Sequence, residues 1–137
     1  MTSYVNLFGT ITYNNYKLEI ITHNYYNKKH INEFIDNLKQ IYTDIQSNFI
    51  IIANLNKTSP IFISSNIYYK VANIFYELGD ISDKYLHHVI IINSNKIVNN
   101  LLSTLFKYYS MPHPISIIHK TTDINTIIST YKFTHEN

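Results

Sequence analysis

Acid–base or metal chemistry would be sought first among the seven histidines. His87 and His88 are adjacent, so in a strand they point to opposite faces and cannot hold one metal together. No His-x-x-x-His pair is present to place two rings on one helix face. His113 lies between two prolines, His135 lies near the last residue, and His119 ends the last predicted strand, where it reads as a half-exposed strand end before it reads as a ligand. Asp80 and Asp83 are three apart, but a hard cation wants more oxygen ligands than two carboxylates supply. Without Cys there is no thiol nucleophile, no Cys-held metal and no disulfide. Two glycines in the whole chain leave no phosphate-cradling loop, and no Gly-x-Ser-x-Gly elbow occurs. None of the nine carboxylates falls within an apolar strand, where burial would tune its acidity. These patterns predict no catalytic residue, no metal site and no cofactor.

Tyrosine and serine offer the remaining candidates, for recognition. Tyr25-Tyr26, Tyr68-Tyr69 and Tyr108-Tyr109 are doublets; neighbours on a helix project about 100° apart, so one ring can bury while the other faces solvent. Tyr69 and Tyr108 are the expected outward members, and exposed Tyr is enriched at protein interfaces. The alternative is surface Tyr that follows from composition alone. All eleven basic residues are Lys, spread along the chain with a net charge of +2, and Arg, the preferred residue for phosphate and guanine contacts, is absent. The one local cluster, Lys28-Lys29-His30, reads as a solvated helix entrance, so nucleic acid is not an expected partner.

The elements that must position these residues follow from periodicity. Tyr4 to Tyr13 reads as a strand, Asn14-Asn15 as a turn, and Tyr16 to His23 as a second strand with Tyr16, Leu18 and Ile20 on one face and Lys17, Glu19 and Ile21 on the other. Asn27 then caps a helix bearing Ile31, Phe34, Ile35, Leu38, Ile41, Tyr42 and Ile45. Phe49 to Leu55 is a short, β-branched apolar run, the mark of a strand covered on both faces. A second helix is expected from Ser64-Ser65 to Leu78, with Gly79 as its left-handed C′ residue. Asp80 to Leu86 forms a short connector, irregular or a helical turn, and Val89 to Ile92 a second doubly covered strand. Ser94 caps a third helix with Ile97, Leu101, Leu102, Leu105 and Tyr109. Pro114 to His119 is a last strand, and Thr121 or Thr122 caps a fourth helix with Ile124, Ile127, Ile128 and Tyr131. The expected order is β-β-α-β-α-β-α-β-α, an α/β fold whose mainly parallel sheet is mixed by its opening hairpin. In such sheets, sites lie at the carboxyl ends of the strands, here Leu55 to Ser65, Asn93 to Lys96 and His119 to Asp123.

A chain of 137 residues that is 45% hydrophobic is expected to form one domain over residues 1–137 without disulfide or metal support. No signal peptide or membrane-length apolar run is visible, which, with the lack of Cys, suggests a cytoplasmic protein. The excess of Ile, Asn, Lys and Tyr matches A/T-rich codons. It suggests a large cytoplasmic DNA virus, a low-GC bacterium or an A/T-rich protist as source, and host cytoplasm or virion as location if viral.

The element order resembles the STAS domain, the fold of bacterial anti-sigma-factor antagonists, and its SpoIIAA-like relatives. The resemblance rests on Phe49 to Leu55, then Pro60 to Ser65 with its Ser doublet, then a helix from Asn66. It continues in Val89 to Ser94, running into Val98, Leu101, Leu102, Leu105, Phe106 and Tyr109, and in the Pro-led strand Pro114 to Ile118. It spans nearly the whole chain in element order. It implies a non-enzymatic interaction module, regulatory or scaffolding, with Ser64, Ser65, Asn66 and Tyr69 on the partner-facing side, to which the outward Tyr108 of the third helix is added as a partner-binding candidate. It also implies Ser64 or Ser65 as a phosphosite. Members that act as phosphorylation switches carry Asp before the doublet and Gly after it, whereas Ile63 and Asn66 stand here, so Ser65 also reads as a helix N-cap.

Three function classes follow: a protein-binding module that pairs with another protein or with itself, a small-ligand or lipid-binding domain, and a small hydrolase or metal-dependent enzyme. An apolar cavity would mark the second, and convergence of His119 with Asp residues the third.

Overall fold

The structure, a computed structural model, describes residues 1–23, 27–57, 70, 73, 74, 76–108, 114–118 and 124–129, apart from the side chains of Ser82, Leu105, Phe106 and Tyr108. The fold is α/β, built on a mixed six-stranded sheet. Three antiparallel strands open it: β1 (Thr2–Val5), β2 (Gly9–Asn14) and β3 (Lys17–Thr22). Helix α1 (Lys28–Asp44) leads to β4 (Phe49–Asn54). Helical backbone at residues 70, 73, 74, 76 and 77 runs into α2 (Gly79–Tyr85), followed by β5 (Leu86–Ile92), α3 (Lys96–Tyr108) and β6 (Ile115–Ile118). Residues 124–129 form a last helical segment.

The strands lie side by side in chain order, β1-β2-β3-β4-β5-β6, and β3 to β6 are parallel. Right-handed crossovers that always step in the same direction place their helices on one face. The packing agrees. Leu18, Ile20, Ile51, Val89 and Ile91 of the sheet share one core with Ile31, Phe34, Leu38 and Tyr42 of α1, with Ile74, and with Val98 and Leu102 of α3. The opposite face of β4 and β5 presents Ile50, Ile52, Ile90 and Ile92, which form a second core. Ile124, Ile127 and Ile128 of the last helical segment, together with Tyr16 and Ile118, pack against it. Both apolar runs are therefore covered on two faces, as expected.

The opening differs from the expected hairpin, because Tyr4 to Tyr13 is two strands. Asn6 breaks the run: its side-chain oxygen accepts from the N–H groups of Phe8 and Gly9 at 2.9 and 3.1 Å, and its own N–H donates to the Gly9 carbonyl at 3.0 Å. The Asn6 amide also donates to the His30 carbonyl at 2.8 Å, tying this turn to the start of α1. Phe8 is thereby turned inward, edge-on to Phe34 with centroids 5.1 Å apart. The observed order is β-β-β-α-β-α-β-α-β plus the last helical segment.

Other expectations are also revised. Tyr16 lies on the second-core side, not with Leu18 and Ile20, because it follows Asn15, whose φ of 58° ends the alternation of β3. Gly79 has no positive φ and begins α2 instead of terminating a helix. Of the expected connector, Asp80 to Tyr85 takes the helical alternative, within α2, and Leu86 already belongs to β5. Asn95, not Ser94, caps α3, since its side chain accepts from the N–H groups of Ile97 and Val98 at 2.9 and 3.0 Å. Val98 is buried and Ile97 is 77% exposed, so Val98 takes the place expected for Ile97 beside Leu101 and Leu102. Asn27 caps α1 as expected, accepting from the His30 N–H.

The two glycines make a paired test. A Cβ on Gly9 would lie 2.7 Å from the Ile21 carbonyl oxygen and 2.8 Å from the Phe34 ring, whereas one on Gly79 would meet nothing within 4 Å. Gly9→Ala is expected to destabilise the protein by about 1–3 kcal/mol through overpacking, and Gly79→Ala to leave it unchanged or stabilise it by up to about 1 kcal/mol. Denaturant melts of the two variants check this; equal midpoints would contradict the placement of Gly9 against α1.

Candidate functional site

In doubly wound sheets the ligand crevice opens where the strand order reverses. Here the order runs one way from β3 to β6, so no reversal splits the carboxyl edge. Asparagines occupy that edge instead. The Asn93 amide donates to the Asn99 Oδ1 at 3.1 Å, and the Asn99 amide donates back to the Asn93 carbonyl at 3.0 Å. Asn56 Oδ1 accepts from the Ser94 N–H at 2.9 Å, and Asn54 Oδ1 accepts from the Asn56 N–H at 3.0 Å. Asn93 is buried. The described part of the expected site, Leu55 to Lys57 and Asn93 to Lys96, is thus a self-satisfied network that locks the ends of β4 and β5 to the start of α3.

Histidine chemistry is found elsewhere. His87 is exposed, while His88 points to the opposite side, as adjacent strand residues must. His88 Nε2 lies 2.8 Å from Ser116 Oγ on β6. Burial holds its pKa below the ordinary 6.5, because a charged ring there would lose hydration. Ile50 lies directly opposite His88, and Lys17 opposite Ile50, on the same face; Glu19 lies further along that face of β3. The pair shares a hydrogen bond whose donor is set by the ring tautomer. Among the described residues, the strand N–H groups beside it lie in the plane of the sheet and do not project over the face toward a reacting carbonyl. Sequence reasoning missed Ser116 because the β5–β6 register, which brings residues 28 apart in the chain together, cannot be read from either strand alone.

The expected partner-facing residues Ser64, Ser65, Asn66 and Tyr69 lie outside the described residues, as do His119, Thr121, Thr122 and Asp123. Tyr108 ends α3, and its side chain lies outside them too. Asp80 and Asp83 are exposed on α2, and no three acidic or histidine side chains gather among the described residues.

Two sheet edges remain. The outer side of β1 pairs with no strand among the described residues, nor does that of β6. Thr2-Ser3-Tyr4-Val5 carries no charge, no Pro and no bulge, the usual devices that keep an edge from pairing. Val5 is 75% and Leu7 58% exposed. No described helix is long and apolar enough to cross a membrane. Compared with protein-family models, curated proteins and solved structures, the chain matches none.

The histidine gives a signed pH dependence. Below pH 6.5 the unfolded chain protonates His88 while the folded protein still resists it. Stability from this group is therefore fully present above the unfolded value and is lost as pH falls toward the folded one. The melting temperature is expected to drop between pH 7.5 and 5, and His88→Gln to flatten that drop. Identical pH profiles for the two proteins would contradict the assignment.

Proposed function

We propose that this chain is a non-enzymatic interaction module, STAS/SpoIIAA-like in its succession of elements, which assembles with a second copy of itself through the β1 edge. The observation that carries this reading is the uncharged, unprotected edge strand with Val5 and Leu7 bare beside it. The Asn6 N–H bond to the Gly9 carbonyl sets the alternation along β1, so Ser3 and Val5 direct their N–H and C=O groups away from β2. A second β1 laid antiparallel across a two-fold axis would meet those groups and bring no like charge opposite another. A protein partner that offers an extended neutral segment would use the same groups.

Support also comes from what the other two function classes require. The two described clefts, open surface grooves of about 370 and 330 Å³, include Lys and Asn in both linings, which suits a polar segment better than an acyl chain. A hydrolase needs more than the His88–Ser116 pair supplies. In this reading the module is regulatory or scaffolding, works in the cytoplasm, and carries no cofactor.

Four-residue strands pair over a small area, so the dimer should be reversible, with a dissociation constant in the micromolar range or weaker, roughly −8 kcal/mol or less in magnitude. Sedimentation equilibrium should show concentration-dependent dimers. Val5→Lys should weaken them by about tenfold or more while the melting temperature moves little, since Val5 is exposed. A protein that stays monomeric at high concentration, or a Val5→Lys variant that dimerises as well as the parent, overturns the reading.

A further inference from the structure

The opposite edge of the sheet is built differently, and its features point to a different occupant. β6 is short, uncharged and half-buried throughout, and its outer side meets no strand among the described residues. Pro114 and Ile118 accept through their carbonyls from the N–H groups of Val89 and Asn93 at 3.0 and 2.9 Å. In a parallel ladder, alternate residues of one strand bond a given neighbour, so Pro114, Ser116 and Ile118 serve β5. Ile115 and Ile117 therefore turn their N–H and C=O groups outward. Their side chains pack toward the core beneath α3.

Beside this edge lies a cleft of about 330 Å³ between α3 and β6, lined by Lys96, Asn99, Asn100, Ser103 and Ile117. Its one charged wall is Lys96. Along its whole length α3 carries Lys96 and Lys107 and no acid. A strand edge with free backbone groups, next to a helix wall of amides, hydroxyl and lysine, is the arrangement in which an extended peptide adds a strand while alternate side chains drop into the groove.

We propose that the α3–β6 groove binds an extended acidic segment of a partner protein, which pairs with the outward groups of Ile115 and Ile117 and sets carboxylates against Lys96. This site is separate from the β1 edge and does not depend on it. Lysine steers such a ligand and selects its sign, while the strand pairing holds it. A second copy of this chain is not the expected occupant, because the segments that would have to pair here, β1 and β6, carry no acid.

Three fluorescein-labelled nine-residue peptides test it by anisotropy: alternating Val and Glu, the same with Gln, and the same with Lys. The Glu peptide is expected to bind about tenfold or more tighter than the other two, with the difference shrinking as salt is raised. Lys96→Glu should remove that preference and leave the melting curve in place, because an acid suits the first turn of a helix. Amide resonances of Ile115 and Ile117 should shift on titration. Equal binding of the three peptides, no binding, an unchanged preference in Lys96→Glu, or shifts confined to β1 would each overturn the proposal. So would a change in the sedimentation of Lys96→Glu alone, since it would seat a second copy in the groove. The β1 reading is judged by sedimentation of Val5→Lys, so failure of one proposal leaves the other standing.

Discussion

Sequential strand order is the constraint on which the rest of the molecule depends. Once β3, β4, β5 and β6 lie in chain order and parallel, right-handed crossovers place α1, α2 and α3 on one side. Two consequences follow at once. The strand order has no reversal to open a crevice at the carboxyl edge, and asparagines tie together the described ends of β4 and β5. The other side of β4 and β5 receives no crossover helix, so its four isoleucines need a cover from elsewhere in the chain, and residues 124–129 supply part of it. That side of β1, β2 and β3 is closed over less. Thr10, Thr12, Lys17 and Ile21 are half-buried there and Glu19 is exposed, the wet face that an antiparallel hairpin tolerates and a parallel strand does not.

Asparagine does much of the local shaping. It turns the chain at Asn6, takes the left-handed conformation at Asn15, caps α1 from Asn27 and α3 from Asn95, and binds strand ends at Asn54 and Asn93. Asp, Ser or Gly commonly fill such positions. With only two glycines in the chain, a short side chain that can hydrogen-bond to nearby backbone and tolerates positive φ takes over most of their work. Gly9 is retained where no side chain fits, between the Ile21 carbonyl and Phe34.

What was legible in the sequence was legible because it was local or periodic. The heptad-like stripe of α1, the cap at Asn27, and the doubly apolar runs of β4 and β5 each announce themselves within a few residues. The errors share a cause as well. Asn6 turns the chain through local bonds with Phe8 and Gly9 that lie hidden in an otherwise strand-like run, and its tie to His30, twenty-four residues away, is not recorded in Tyr4 to Tyr13 at all. Ser94 and Asn95 are both good capping types one residue apart, and Val98 rather than Ile97 joins Leu101 and Leu102 on the buried stripe. Gly79 has a typical C′ residue type, yet a helix can also begin at glycine when the preceding segment ends in a turn at Leu78. The candidate site was the least legible part, because His88 with Ser116, the two open edges and the α3–β6 cleft are all products of strand register.

The two cores also differ in when they can form. Every hydrogen-bonded strand pair joins neighbours in the chain, so the sheet can grow from one end to the other as the polypeptide leaves the ribosome. Each new strand finds its template already laid down, and the crossover helix that comes with it seals the first core as it goes. The second core cannot keep pace. Ile50 and Ile52 are made more than seventy residues before Ile124, Ile127 and Ile128. For that interval the nascent sheet carries a bare aliphatic strip, and the isoleucine-bearing segment 124–129 acts as a clasp that closes over it afterwards.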